Sequence, residues 1–523
     1  MTSIARQGPS VLAAWLVLGL LAGCAGQAVP REHGLALRDA EIRSTWLGQW
    51  ARQAAADHAG LSGFALLAKA EEAFALRANL VEQASKRLDV QTYLLGEGQT
   101  VQVLLHRMIG AAQRGVEVRL LLDDLTASGQ GDQLAALDSH PNIQVRVFNP
   151  WPLGREHLVS RVVLSLPALA RQHRRMHNKT WIVDNAVAIT GGRNLDDEYF
   201  NASEPRNFAD VDLLAVGDVV DALSLSFDLY WNHFLSQPLA RYHAAAPEAW
   251  RELATSLARQ LAEQRDSDSP YFVALRARYG AAAEDTLFGD LHWAPGQALW
   301  DPPGKVAGRE RSPLEETLFG ALLDQLPKLE SRLVIVSAYF VPAERGTALL
   351  TRLAESGIRV EVITNSLEAT DLSLVHGAYA GRRRALLESG VRLHELRGRQ
   401  QHGEEAEIGI PGTSLSSLHS KAVSFDDDLV FIGSFNADPR SVIWNTEIGV
   451  LVESEPLVAE FLEFAEAGMT PSLSYLPGLD GTGRLYWLTE LDDRLVRLDR
   501  EPGSLKQRLG SWLSRLLGLE IWL

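Results

Sequence analysis

Cysteine is almost absent. Cys24 is the only one, so the chain closes no disulfide within itself and holds no cysteine-based metal site. Lysine is nearly as scarce, the whole set being Lys69, Lys86, Lys179, Lys305, Lys328, Lys421 and Lys506. Basic residues are outnumbered, 50 Lys and Arg against 66 Asp and Glu, and a net charge of −16 argues against affinity built on blanketing nucleic-acid phosphates. Long apolar runs are missing too: beyond the first 24 residues no segment approaches the roughly eighteen apolar residues that a bilayer-crossing helix needs. What is present is ordinary for a folded protein, with 46% hydrophobic and 22% charged residues. A length of 523 residues exceeds what one core usually serves and points to about two to four domains.

The lone cysteine has a telling context. Arg6 supplies a small positive region, Val11 to Leu21 is apolar apart from Gly19, and Leu21-Ala22-Gly23 leads into Cys24. The run has the proportions of a secretory signal. It resembles a bacterial lipoprotein signal, which implies cleavage after residues 1–23 and lipidation of Cys24. The alternatives are an ordinary cleaved signal or a short N-terminal helix with an incidental thiol. The first reading expects a protein of the bacterial cell envelope, lipid-anchored at a membrane on the exported, periplasmic side, its body lying on the bilayer.

Along the chain, 34–84 has helical spacing, with Phe64, Leu67, Phe74 and Leu80 as apolar positions. Leu88 to Leu94 alternates like a strand, Val101 to Ala112 reads as a helix ended by Arg114-Gly115, and Val116 to Leu122 as a buried strand. Such a unit is a parallel crossover. It returns as a strand from Arg332 to Tyr339, a helix from Gly346 to Glu355, a stop at Ser356-Gly357 and a strand from Ile358 to Thr364.

Gly115 and Gly357, His177 and His419, and Gly191 and Gly433 are each 242 residues apart, the mark of two copies of one α/β unit. The expected organisation is a first domain over 34–265, a Pro/Gly-rich linker over 266–313, a second domain over 314–470 and a tail over 471–523. The tail holds aromatic strands at Leu485–Leu488 and Arg494–Leu498. It closes with a helix from Ser504, where Leu505, Leu509, Trp512, Leu513, Leu516 and Leu517 share one face. That helix either packs on a core or lies in a membrane interface.

The chemistry is carried by His177-Asn178-Lys179 through Asp184, followed by Gly191-Gly192-Arg193-Asn194. It is repeated as His419-Ser420-Lys421 through Asp426, then Gly433-Ser434-Phe435-Asn436. Residues i and i+2 on a strand project from one face, so each His and Lys address one small anion together. Imidazole is a good nucleophile toward phosphorus, and the ammonium stabilises charge on the non-bridging oxygens.

One copy lacks a group to protonate the leaving alcohol. Two copies about a pseudo-dyad supply a second histidine as general acid and then base. Asn194 and Asn436 at matching positions are expected to donate to the phosphoryl oxygens. Each histidine also needs a carboxylate on its other nitrogen. Glu447 suits the second motif and Asp210 is its counterpart for His177, with Asp212 as competitor. Asp184 and Asp426 complete the motifs, and capping a turn or anchoring the lysine suits them better than direct catalysis. Arg171, Arg174 and Arg175 with His173 precede the first motif, either as a receiver for an anionic substrate or as a solvated cluster.

With two H-x-K-x4-D motifs, each trailed by G-[GS]-x-N, the chain resembles the phospholipase D superfamily. Several stretches resemble its bacterial cardiolipin synthase branch: Arg174 to Lys179, Gly191 to Asn194 with Asp197-Glu198-Tyr199-Phe200, Tyr339-Phe340-Val341-Pro342, and Thr364 to Leu367 with Thr370-Asp371 and His376. The resemblance implies two tandem α/β domains with mixed sheets flanked by helices, catalysis through a phosphohistidine without metal or cofactor, and phospholipid head groups as substrate. It also implies His177 as nucleophile and His419 as acid.

The expected activity is phosphatidyl transfer from phosphatidylglycerol, or from phosphatidylethanolamine, to a glycerol-headed acceptor, giving cardiolipin, with a membrane rather than nucleic acid as partner. Hydrolysis by the same site and a catalytically dead, lipid-anchored scaffold are the rival readings. Replacing His177 by Ala is expected to abolish turnover, and near-normal activity in that variant would refute a nucleophilic His177.

Overall fold

The computed structural model describes residues 33–127, 129–151, 169–203, 206–266, 290–308, 310–398, 415–518 and 520. Cys24 and the expected signal over 1–23 lie outside the described residues. Among the described residues no helix is long and apolar enough to cross a membrane.

The repeat is realised as two mixed sheets. In the first, strands Arg87–Thr92, Glu117–Asp123 and Ile143–Phe148 run parallel. Antiparallel strands Thr180–Val183, Val187–Gly191, Asp212–Val216 and Ser62–Leu67 continue from Arg87–Thr92. The second repeats the plan: Arg332–Ser337, Arg359–Asn365 and Arg392–Leu396 are parallel, and Lys421–Phe425, Leu429–Gly433 and Ile448–Glu453 follow antiparallel. Two strand pairs, Glu117–Asp123 with Arg359–Asn365 and Val187–Gly191 with Leu429–Gly433, keep the 242-residue offset at both ends. The helices before the second parallel strands, Gln99–Gln113 and Ala343–Glu355, both stop at a glycine with left-handed backbone, Gly115 at φ 98° and Gly357 at φ 96°, where a Cβ would be strained.

Apolar faces decide the layering. Helices Ala70–Gln83, Gln99–Gln113 and Ala249–Asp266 cover the outer side of the first sheet, burying Leu80, Leu104, Met108 and Leu257 against Leu88, Val118 and Leu120. A second outer layer, with Leu318, Leu350 and Leu386, covers the other sheet. The inner sides meet in one core, where Ile182, Ala188, Leu213 and Ala215 join Val334, Val430, Ile432 and Val450, with Leu223 and Phe461 from helices Asp218–Asn232 and Glu455–Gly468.

Several expectations are corrected. Phe64 and Leu67 belong to strand Ser62–Leu67 rather than to a helix, because that segment pairs with Asp212–Val216 and its side chains alternate between two buried faces. The described part of the expected linker is built into the sheets: His292–Ala294 pairs with the first and Gly296–Trp300 with the second. The tail is no appendage, since Ser474–Leu479, Leu485–Leu491 and Arg494–Leu498 extend the second sheet beyond Arg392–Leu396.

A shared inner core predicts shared stability. Ile432→Ala, at a fully buried position between the sheets, is expected to cost about 2–5 kcal/mol and to lower one calorimetric transition that includes both halves. Two separate transitions would contradict the common core.

Candidate active site

Both histidines precede rather than occupy regular strands. His177 and Lys179 stand just before Thr180–Val183, and His419 lies between Leu415–Leu418 and Lys421–Phe425. What holds them is backbone pairing with the opposite half. His177 N–H donates to Thr446 O at 2.9 Å, and His419 N–H donates to Ala209 O at 2.8 Å. Strand Leu415–Leu418 pairs in parallel with Arg206–Ala209 of the first half, and Met176 bridges to Thr446 of the second.

The next residue in each acceptor segment is a buried carboxylate, and this crosses the expected pairing. His177 Nδ1 lies 2.8 Å from Glu447 Oε2, and His419 Nδ1 lies 2.8 Å from Asp210 Oδ2. Each carboxylate serves the histidine of the other half, not that of its own. Sheet register shows why Asp210 rather than Asp212 is the equivalent of Glu447. Asp212 stands opposite Gly191 and Gly449 opposite Gly433, so Asp210 and Glu447 each precede those positions by two residues. Asp212 instead binds Arg77 at 2.7 Å and Arg193 at 3.3 Å.

The two halves differ by one methylene, and their neighbours compensate. A Cβ on Gly192 would stand 2.1 Å from Asp210 Oδ1, so the shorter carboxylate needs a glycine beside it. The longer Glu447 has Ser434 at the matching position and accepts from its hydroxyl at 2.5 Å and from Ser441 Oγ at 2.8 Å. Asp301, within the expected linker, braces this group from behind, accepting from Glu447 N–H at 2.9 Å while its own N–H donates to Glu447 O at 3.0 Å.

Both lysines fold back onto their own motif. Lys179 Nζ donates to His177 O at 2.6 Å, and Lys421 Nζ donates to His419 O. Burial pushes Lys179 down to about 7, with Glu447 opposing and Lys421 reinforcing the shift. Burial likewise lowers Lys421 to about 8 against the pull of Asp210 and Glu447. Burial also lowers His177 to about 4 despite Glu447, and burial with Lys421, Lys179 and His177 lowers His419 well below its usual value. The imidazoles are therefore neutral at neutral pH. With Nδ1–H on Glu447, Nε2 of His177 carries the lone pair, while His419 Nδ1 lies 2.8 Å from both Asp210 Oδ2 and Lys421 Nζ. Two cations crowded into a buried site favour an incoming anion.

Other expected site residues fare differently. Asn194 donates to the Tyr199 hydroxyl at 2.8 Å, and that hydroxyl is 3.5 Å from His419 Nε2. Asn436 keeps a buried Oδ1 with no hydrogen-bond partner among the described residues. Asp184 and Asp426 are not at the chemistry. Asp184 accepts from Ser85, Lys86 and Arg87 N–H at 2.7–2.9 Å, and Asp426 accepts from Glu330, Ser331 and Arg332 N–H at 2.8–3.3 Å.

Each tethers the turn after its motif strand to the start of the neighbouring antiparallel strand, Arg87–Thr92 or Arg332–Ser337, which excludes contact with the lysine as its role. Nor do Arg174 and Arg175 before the first motif receive a substrate or lie solvated. Arg175 is buried on Asp123 and Gln172, and Arg174 donates to the carbonyls of Lys305, Gly308 and Glu310. The aromatic walls escaped the sequence reading of the site: Tyr93 packs on His177 at 5.2 Å between ring centres, and Tyr199 edges onto His419 at 4.9 Å. Tyr199 lies five residues after Asn194, a spacing that invites the search.

Two expectations follow. Gly192→Ala displaces Asp210 and is expected to lower turnover by about 10²-fold, while Gly192→Ser combined with Asp210→Glu, which copies the other half, recovers part of it. Full activity in Gly192→Ala would refute the steric fit. In the free enzyme the lysines lose their protons as pH rises through about 7 and 8, so kcat/KM for an anionic substrate should fall across that range, and a flat profile would speak against charged lysines in binding.

Comparison with known proteins agrees with this geometry. The family described as "Cardiolipin synthase, PLD-like domain" matches twice, over residues 78–215 and 322–467, once in each half. Cardiolipin synthase C of Escherichia coli is 37% identical over 478 residues, 89% of this chain and 97% of that protein. An uncharacterized protein of Helicobacter pylori is 32% identical over 398 residues, 74% of this chain and 76% of its own length. The crystal structure of phosphatidylserine synthase from Haemophilus influenzae shares the fold, with a TM-score of 0.57 and 16% identity, covering 91% of this chain and 100% of that one. The chain belongs to the phospholipase D superfamily, in its cardiolipin synthase-like branch.

Proposed function

We propose that the protein is a phosphatidyltransferase that makes cardiolipin from phosphatidylglycerol. The observation that carries the reading is the reciprocal pair of buried imidazoles, each held through Nδ1 by a carboxylate of the other half, with a lysine beside it. An oriented neutral Nε2 is a nucleophile for phosphorus, and two such groups provide for attack and proton transfer.

In the proposed cycle the phosphodiester anion enters with a proton that its charge stabilises on His419. His177 Nε2 attacks phosphorus, the bond from phosphorus to the head-group oxygen breaks, and His419 gives its proton to the departing glycerol. The hydroxyl of a second phosphatidylglycerol then attacks phosphorus, yielding its proton to His419 as the bond from phosphorus to nitrogen breaks, and cardiolipin leaves. Lys179 and Lys421 stabilise charge on the non-bridging oxygens. Phosphatidylethanolamine is a second possible donor by the same chemistry. The Leu21-Ala22-Gly23-Cys24 sequence supports a lipid-anchored protein on the periplasmic side of the cell envelope.

Incubation with labelled phosphatidylglycerol tests the reading. Cardiolipin and glycerol in equal amounts, formed equally well with EDTA present, are the expected result. Phosphatidic acid as the sole lipid product would make the protein a hydrolase, and loss of turnover with EDTA would overturn the metal-free cycle.

A further inference from the structure

The C-terminal helix, Leu505–Leu517, is docked the wrong way round for a core helix. Its buried side is small and polar: Ser511 and Ser514 are each 1% exposed. They pack on helix Ser373–Ala380 so closely that a Cβ on Gly377 would meet Ser511 O at 2.3 Å and one on Gly510 would meet Ser373 Oγ at 2.3 Å. The opposite side carries Leu505, Leu509, Trp512 and Leu516, which are 84%, 61%, 51% and 63% exposed. Further ties hold the seat: Gln507 Nε2 donates to Glu368 O at 3.2 Å, and Arg382 binds Glu520 at 2.7 Å just past the helix end. A helix fixed this firmly with its leucines outward is presenting them.

Charge and position identify what the leucines meet. At 100° per residue, Arg508 and Arg515 flank the apolar face on one side and Lys506 on the other, in the arrangement of a helix lying in the plane of an interface. Arg508 and Arg515 also line, with Arg500, a cavity of about 340 Å³ behind the helix. That lining sets three arginines against Asp499 and Glu501, both of which are held in ion pairs by other residues, Glu501 by Arg383 and Asp499 by Arg497. Leu372, 48% exposed, follows Asp371, which accepts from Tyr339 at 2.8 Å and whose charge reaches both Tyr199 and Lys421.

We propose that the helix Leu505–Leu517, with Leu372 beside it, is a docking surface for an anionic phospholipid bilayer, laying its apolar face among the acyl chains so that lipid reaches the catalytic histidines from the membrane plane. This rests on the reading of the protein as a phospholipid transferase and adds where the membrane meets it. The occupant is a bilayer rather than a second copy of the chain because the face is bordered by Lys506, Arg508 and Arg515, whose charge suits anionic head groups.

Because Cys24 is the sole cysteine, the full chain carrying Cys24→Ser and Leu509→Cys takes one environment-sensitive fluorophore at the helix. Vesicles of phosphatidylcholine and phosphatidylglycerol are expected to shift its emission to the blue, less so at high salt, while a probe at exposed Arg52→Cys does not respond. No shift at 509 overturns the proposal. A shift that grows with protein concentration without vesicles, together with a dimer in sedimentation, also overturns it, in favour of a second copy.

In a separate arm, Leu509→Glu with Trp512→Glu is expected to lower turnover of phosphatidylglycerol in vesicles by about tenfold or more, with turnover of dispersed dihexanoyl phosphatidylglycerol unchanged. Equal turnover of vesicles by this variant and its parent counts against the docking surface. Absence of product from both substrates in the parent defeats the transferase reading instead, and the fluorescence result is independent of it.

Discussion

The exchange of backbone hydrogen bonds between the two motif histidines and the opposite halves is the constraint on which the site depends. His177 N–H is fixed by Thr446 O and His419 N–H by Ala209 O, and the residue after each acceptor is the carboxylate that orients the same imidazole. Main chain and side chain thus act on one histidine from one short segment, so position and tautomer are set together. Neither half holds a complete site. Glu447 and Asp210 lie in the half opposite the histidine they serve, and the inner core shared by the two sheets keeps that exchange rigid.

Electrostatics follow from the same burial. Two lysines and two imidazoles sit in one water-poor site, and desolvation pushes all four toward their neutral forms, against the attraction of Glu447 and Asp210. A phosphodiester anion reverses that imbalance, because its charge favours the protonated lysines and a proton on one imidazole. The site is therefore best satisfied with a phosphodiester bound. That difference is a source of affinity for phosphate, and it also sets the pH range in which the free enzyme receives its substrate.

The periphery leaves an apolar face outward. The tail strands extend the second sheet, and the final helix is pinned to Ser373–Ala380 by glycine and serine contacts that leave its leucines outward. Exposed Leu372, just before Ser373–Ala380, follows Asp371, whose charge reaches Lys421 and Tyr199 at the catalytic centre.

Much of this was legible in the chain. The doubled motif at a constant offset specified two α/β units and named His177, Lys179, His419 and Lys421, because local spacing and repetition are written in one dimension. Strand and helix types in the crossover units were readable for the same reason, since period and stop glycines are local. Pairing across the pseudo-dyad was not readable. Which carboxylate serves which histidine depends on strands brought together from opposite halves, and only the register of Asp212 on Gly191 and Gly449 on Gly433 distinguishes Asp210 from Asp212. Likewise, Phe64 and Leu67 carry helix-compatible spacing, yet the neighbouring strand made them sheet, and five leucines and a tryptophan at helical period do not say which way their face will turn. The sequence by itself determined the reacting groups and their number. The tertiary structure decided which groups touch and which way the last helix turns its leucines, because both are settled by contacts between segments far apart in the chain.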